Sequence, residues 1–161
     1  MQESRIPTVI VVALAAVVAV LLLVHLLHRG SNGPVFYAAR PSLTPGALNP
    51  DVTQATIRLT ICVRGWTRTV RPPSSFTSAL KLAQMKQYGF AGGPADYQED
   101  HFISLELGGA PNDPKNLWPE RRPHANQVDG VENDLNAKVC SGAISLAEGR
   151  RREAAMKWTT G

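Results

Sequence analysis

The sequence predicts an α+β domain carried behind one long apolar helix. Three observations lead there. An apolar run fills 9–24 and continues past His25 through Leu26 and Leu27. Short segments with the alternation of strands stand between turn residues, and later segments repeat apolar side chains at helical spacing. A chain of 161 residues has room for one ordinary domain and an appendage.

The appendage comes first. Residues 1–8 form a flank, and 9–27 spans 19 residues, close to the roughly 20 a helix needs to cross the hydrocarbon core. A secretory signal peptide competes with this reading. Its apolar region normally runs about 7–15 residues and ends at a small-residue cleavage site, whereas this run is longer and ends in Leu26-Leu27-His28-Arg29. A single-pass anchor with an extracytoplasmic soluble domain is therefore expected, with a secreted form as the alternative. Flanking charge leaves topology open, because Arg29 and Arg40 follow the run while Arg5 and Glu3 precede it. Residues 28–45, broken by Gly30, Gly33, Pro34, Pro41 and Pro45, read as a linker. The domain proper occupies 46–161.

Two cysteines, Cys62 and Cys140, each close an apolar stretch. An even pair far apart in a small domain behind a membrane segment reads as one disulfide made in an oxidising compartment. Two buried free thiols are the alternative. Closing so long a loop contributes ~4 kcal/mol by chain entropy. The formal charge is +4 overall, and 46–161 carries 14 Lys+Arg against 12 Asp+Glu. So mild a balance neither argues for nucleic-acid binding nor excludes it.

Within the domain, 56–63 alternates polar and apolar residues and predicts a half-buried strand. Arg71-Pro72-Pro73 breaks the chain. A helix follows over 76–88, with Phe76, Leu80, Ala83 and Gln87 on one stripe and Gly89 at its end. Segment 97–107 predicts a strand, Gly108-Gly109 a tight reversal, and 116–118 the returning strand. Over 124–139, Val128, Val131, Leu135 and Val139 define one apolar helix face. Ser145-x-x-Glu148 is a capping-box pattern that opens a last helix running to about Trp158. These stripes read as ordinary core.

Chemistry concentrates after Asp100. Hydrolysis of a phosphodiester needs an activated water and stabilisation of charge on the transition state and on the departing oxygen. A histidine titrates where a general base is useful, and a divalent cation supplies the electrostatic terms. Asp100 and His101 offer a ligand and a base. Strand neighbours point to opposite faces, so the two serve one phosphate only where the strand ends or distorts. Asn116 is placed to bridge the hairpin through backbone hydrogen bonds and so orient the histidine. His124 lies within about 40° of the Val128 stripe at 100° per residue, and faces inward. Taken singly, each has a blander reading as a surface pair, a turn residue or a solvated histidine. Their ordered occurrence carries the argument.

Asp100-His101-x-x-x-Leu105-Glu106-Leu107-Gly108-Gly109 followed by Asn116-Leu117-Trp118-Pro119 resembles a bacterial group of small HNH-like endonuclease domains of the ββα-metal type. Cys62-x-x-Gly65-Trp66, Asp129-x-x-Glu132-x-x-Leu135 and Val139-Cys140-Ser141-Gly142 extend the resemblance over about 43–158. The chain departs from that pattern at Ser104, where proline is usual, and at Gln98-Glu99, which replaces an acidic-then-apolar pair. The resemblance implies a small ββα-metal core with additional helices, with His101 as general base and Asn116 as organising amide. It also implies one divalent metal (Mg, Mn, Ni or Zn) held by Asp100 and a second ligand, His124, for which Asn126 and Asp129 compete. Lys115, Arg121 and Arg122 are the candidate phosphate contacts, and DNA the expected partner. The resulting expectation is a membrane-tethered, metal-dependent endonuclease. Its rival is an inactive envelope binding or structural domain that retains the fold.

Overall fold

The computed structural model describes residues 17–23 and 38–159, except the side chains of Pro123 and Asn126. The chain divides into two units, Met1–Val35 and Phe36–Gly161.

In the first unit residues 17–23 are helical and their side chains exposed. Seven helical residues rise roughly 10 Å, against about 30 Å of hydrocarbon. Among the described residues no helix is long and apolar enough to cross a membrane. The expectation of a transmembrane helix is corrected to this short apolar stretch; the remainder of 9–27 lies outside the described residues.

The second unit is mixed α+β. Its helices are α1 (Trp66–Val70), α2 (Ser74–Tyr88), α3 (Arg122–Ser141) and α4 (Leu146–Thr159). Between α2 and α3 lie β1 (Tyr97–His101) and β2 (Leu117–Arg121), paired antiparallel with Asp100 opposite Trp118 and His101 opposite Leu117. The order through the middle of the chain is thus strand, strand, helix. Trp118, Phe102, Leu107, Leu117 and Val139 are fully enclosed. Tyr97 stacks on Phe90 at 5.5 Å between ring centroids, and Tyr88 meets Trp118 at 6.3 Å. Ala39 and Thr44, within the expected linker, are buried as well, and Thr44 Oγ1 lies 2.7 Å from the Tyr88 hydroxyl.

Several elements differ from expectation for identifiable reasons. The segment 56–63 is no strand: a 3-10 turn at Ile57–Leu59 leads into further turns. A strand would set Ile57, Leu59 and Ile61 on one face. Instead Ile57 and Ile61 are buried while Leu59 is 78% exposed, the pattern of positions four apart on a coiled path. In α2 the buried residues are Gln84, Met85 and Tyr88, not the stripe led by Phe76. That helix is weakly amphipathic, and the aromatic cluster around Tyr88 sets its rotation. In α3, Val128, Leu135 and Val139 point inward as expected, but Val131 is 41% exposed and Glu132 takes the inward place. The last helix begins as expected, with Glu148 N–H donating to Ser145 Oγ at 3.2 Å.

The strand expected over 97–107 ends at His101, and Leu105–Leu107 form a 3-10 turn. The chain returns to β2 through the longer loop 102–116 rather than by a tight reversal at Gly108-Gly109, and that loop still requires glycine. A Cβ on Gly109 would stand 1.8 Å from the Ile103 carbonyl oxygen and 2.5 Å from Asn116 Nδ2. Gly108 adopts φ +74, and a Cβ there would meet Val52 at 2.4 Å. Further along, Gly149 lets α4 approach α3 and Leu107; a Cβ would be 2.9 Å from Val139 Cγ2.

Cys62 and Cys140 form a disulfide, with their Cα atoms 5.6 Å apart and a separation of 78 in sequence. It ties the 56–63 turns to the C-terminal end of α3. Such bonds persist in oxidising compartments, in keeping with an extracytoplasmic setting for this unit. Reduction with dithiothreitol, or Cys62→Ser with Cys140→Ser, is expected to lower unfolding free energy by about 4 kcal/mol, read as a fall in the denaturant midpoint. An unchanged midpoint would refute the bond's contribution.

Candidate functional site

His101 is the last residue of β1, and the strand's end lets Asp100 and His101 line one cleft although they are neighbours in sequence. The cleft encloses about 310 Å³; Arg71, Glu106, Asp129 and Glu132 share its walls. His101 is only 5% exposed. Its Nε2 lies 3.0 Å from the Pro111 carbonyl oxygen. A carbonyl can only accept, so Nε2 carries the proton and Nδ1 of the neutral ring keeps its lone pair. Burial is the chief force holding the imidazole below its ordinary pKa, with Arg71 and Lys157 adding to it and the Pro111 bond and Asp100 opposing. The ring is neutral at pH 7 and equipped to accept a proton at Nδ1.

Asn116 is fully buried and bridges the loop that returns from His101. Its Oδ1 accepts from Ile103 N–H at 2.9 Å, and its Nδ2 donates to the carbonyls of Ile103 and Ala110, each at 3.0 Å. Its own carbonyl accepts from Phe102 N–H at 2.7 Å. One side chain therefore holds both ends of the 103–110 loop beside the histidine.

Behind this lies a group that the sequence reading missed. Lys157 on α4 is fully buried, and its ammonium donates to Glu132 Oε1 at 2.6 Å, the His101 carbonyl at 2.6 Å and Asp100 Oδ2 at 3.2 Å. Glu153 Oε1 is 4.0 Å away and accepts from Ser104 N–H at 2.9 Å. A proline at 104 would have no N–H to give. The signal available in the sequence was the spacing Leu146, Gly149, Glu153, Lys157, which sets an acid and a base on the face that α4 buries.

The titration of these groups follows from crowding several carboxyls around one ammonium. Burial alone would raise Asp100, but the Lys157 charge and a hydrogen bond from Glu120 outweigh it and hold Asp100 well below the carboxylate range. Burial first, then the hydrogen bond to Asp100, pushes Glu120 up to about 10. Glu120 is therefore protonated at neutral pH. Its Oε1 lies 2.6 Å from His124 Nδ1, and its buried Oε2 has no hydrogen-bond partner. Burial lowers the His124 pKa too, so the His124–Glu120 contact is a neutral hydrogen bond rather than an ion pair. Burial raises Glu132 to about 8 and Glu153 to about 7, against the pull of Lys157. The same four carboxyls hold the Lys157 pKa well above its ordinary value despite its burial.

This geometry corrects the expected metal centre. Asp100 is paired with Lys157, the His124 ring nitrogen Nδ1 is engaged by Glu120, and among the described residues no group of three His, Cys, Asp or Glu side chains is arranged to hold a metal ion. The expected ligand set does not fit a metal, because a covalently attached cation already stands among its oxygens. Asp129 lines the cleft, while the side chain of Asn126 lies outside the description. None of the three candidate phosphate contacts lines the His101 cleft. Lys115 is exposed in the turn Pro114–Asn116, Arg121 is exposed at the end of β2, and Arg122 donates from Nε to the Ala95 carbonyl at 2.9 Å and borders a separate, smaller cleft with Lys81 and Glu99. The cation in the cleft wall is Arg71, hidden to sequence reading inside the Arg-Pro-Pro break.

Comparison with known proteins matches the chain to no family model, no curated protein and no solved structure. Function must therefore be argued from the site.

Asn116→Ala leaves one buried N–H and two carbonyls without partners, and is expected to cost roughly 3 kcal/mol or more. Equilibrium denaturation that finds less than 1 kcal/mol would remove Asn116 as the organiser of the loop. Glu99 gives a pH test. Burial raises it to about 8, and both its oxygens lack hydrogen-bond partners. A carboxyl raised on folding makes the fold lose stability as pH climbs from its unfolded value near 4.5 to about 8. Glu99→Gln is thus expected to match the wild type in Tm near pH 4 and to exceed it progressively up to pH 9. A constant difference across that range would contradict the buried carboxyl.

Proposed function

We propose that the second unit is an HNH-like, endonuclease-type domain that hydrolyses nucleic-acid phosphodiesters, DNA in the first instance, with His101 as general base. The observation that carries this reading is the Pro111 hydrogen bond to Nε2, which leaves Nδ1 of a neutral, cleft-lining histidine as proton acceptor. The strand-strand-helix order, the position of Asp100-His101 at a strand end and the Asn116 bridge support it, and they agree with the resemblance noted in the sequence.

In this reading a water in the cleft gives its proton to His101 Nδ1 and its oxygen attacks phosphorus. The bond to the leaving oxygen breaks, and solvent protonates that oxygen. Arg71, the cation in the cleft wall, pairs with the non-bridging oxygens as charge builds on them. Asn116 positions the histidine. No step is assigned to a metal ion.

A second reading, a catalytically silent scaffold or binding domain, is favoured by one observation. Asp100, Glu106 and Asp129 border the cleft, and a polyanion entering it faces their repulsion with Arg71 as counterweight.

Incubating the full chain with supercoiled plasmid DNA, and with RNA in a parallel arm, separates the two. The nuclease reading expects nicking that falls at least 100-fold in His101→Ala and about 10-fold or more in Arg71→Ala, with an acid limb below the ordinary histidine pKa. Absence of cleavage of either substrate, both in EDTA and with added Mg²⁺ or Mn²⁺, establishes the silent scaffold instead.

A further inference from the structure

The mild net charge of the domain hides a segregation along the chain. Between Asp51 and Asp96 there is no acidic residue, while Arg58, Arg64, Arg68, Arg71, Lys81 and Lys86 all fall there. The four arginines are exposed, on the turns that precede α1, on α1 itself and at its C-terminal boundary. Among the described residues no carboxylate pairs with any of them. Three exposed cations of α3 and α4 are instead paired locally, Lys138 with Asp134, and Arg151 and Arg152 with Glu148. Guanidinium groups left unpaired keep their full attraction for a polyanion.

This row leads to the His101 cleft. Arg71 lines the cleft wall. Arg68 and Arg71 stand three apart, on one side of the chain as it leaves α1. Arg68 folds back toward Arg64, since its Nη2 would stand 3.3 Å from a Cβ on Gly65. The helix α1 packs beside the Leu105–Leu107 turn, which gives Leu105 and Glu106 to the cleft wall. One amide on α3 fastens the two together: Asn136 Nδ2 donates to the Glu106 carbonyl at 2.7 Å and to the Ile61 carbonyl at 3.3 Å. The Cys62–Cys140 disulfide holds the same turns on α3. The arginines are thus carried on backbone fixed with respect to the cleft.

We propose that Arg64, Arg68 and Arg71, with Arg58 on the preceding turn, form a track for the phosphates of a nucleic-acid strand that runs into the His101 cleft. The proposal rests on the phosphodiester reading of that cleft and names its binding surface. Contacts of this kind position a strand without reading its bases. Trp66, the aromatic residue within the segment, packs against the core rather than standing free to stack on a base. Binding along the track is therefore independent of sequence. Leu59 and Val63 are exposed among the arginines, a combination that an anionic bilayer also accepts. The continuity of the row with the cleft, through Arg71, favours a strand.

The test titrates the full chain carrying His101→Ala, which keeps the substrate intact, with labelled duplex DNA over a range of salt. The logarithm of the affinity is expected to fall linearly with the logarithm of salt concentration. Adding Arg64→Gln and Arg68→Gln should weaken binding roughly 10-fold or more near 0.1 M salt and flatten the slope by about 2, equally for duplexes of unrelated sequence. Adding Lys138→Gln and Arg151→Gln instead removes the same formal charge from cations that are already paired, and is expected to leave the slope unchanged. Three results overturn the proposal: equal weakening by the two pairs of substitutions, full affinity after Arg64→Gln with Arg68→Gln, or a parent protein that binds no DNA, whether or not it binds phosphatidylserine vesicles. Binding that depends on the row without cleavage by the wild type refutes the hydrolytic reading and leaves the track standing. Cleavage for which Arg64 and Arg68 are dispensable does the reverse.

Discussion

A buried ammonium must find counter-charge, and Lys157 finds it on three elements at once. Its contacts join α4 to Glu132 on α3 and to Asp100 and the His101 carbonyl on β1. Breaking one partner of such a group is expensive, on the order of 3–5 kcal/mol, because the remaining charges stay buried without compensation. The same cost gives the packing a register. A one-turn shift of α4 would draw Lys157 away from Asp100 and Glu132 and leave those buried carboxyls without the ammonium. Apolar packing alone tolerates slippage more easily than this, since hydrophobic contact is non-directional.

The polar centre also governs what stands beside it. Glu120 keeps a proton because Asp100 cannot, and His124 is thereby committed to Glu120. His101 stays neutral because it is enclosed and stands near the cations Arg71 and Lys157. A single choice, which carboxyl pairs with the ammonium, therefore propagates into the protonation of its neighbours. The hairpin supplies the remaining constraint. Gly109 lets the backbone come close enough for Asn116 to reach Ile103 and Ala110, and any side chain at that position would occupy the space of the Ile103 carbonyl.

Much of the fold was legible where local chemistry decides. The Ser145 cap, the inward face of Val128, Leu135 and Val139 and the cysteine pair follow from period, capping and residue type, whereas the strand expected over 97–107 stops at His101 and returns through a longer loop. The 56–63 segment was not legible, because alternation over so few residues fits a strand or a coil, and here a disulfide and two buried isoleucines favour the coil. The face of α2 was misplaced because nothing in its own sequence outweighs the pull of Tyr88 toward Thr44, Phe90 and Trp118. The membrane-crossing helix and the Asp100–His124 metal pair were expectations that the described residues do not carry.

The sequence by itself determined the parts: an α+β domain, the Asp100-His101 pair on a strand, the asparagine that braces the return, and the two cysteines. Those are local matters, settled by side-chain period, turn chemistry and residue type. Only the tertiary structure decided which groups meet. Lys157 and Glu153 lie more than fifty positions from Asp100, and a lone Lys on a helix reads as solvated until its rotation is known. Burial then changes the meaning of each charge, because in a low-dielectric interior a carboxylate takes the nearest cation available. Here that cation is the chain's own lysine, brought to the carboxyls by the packing of α4.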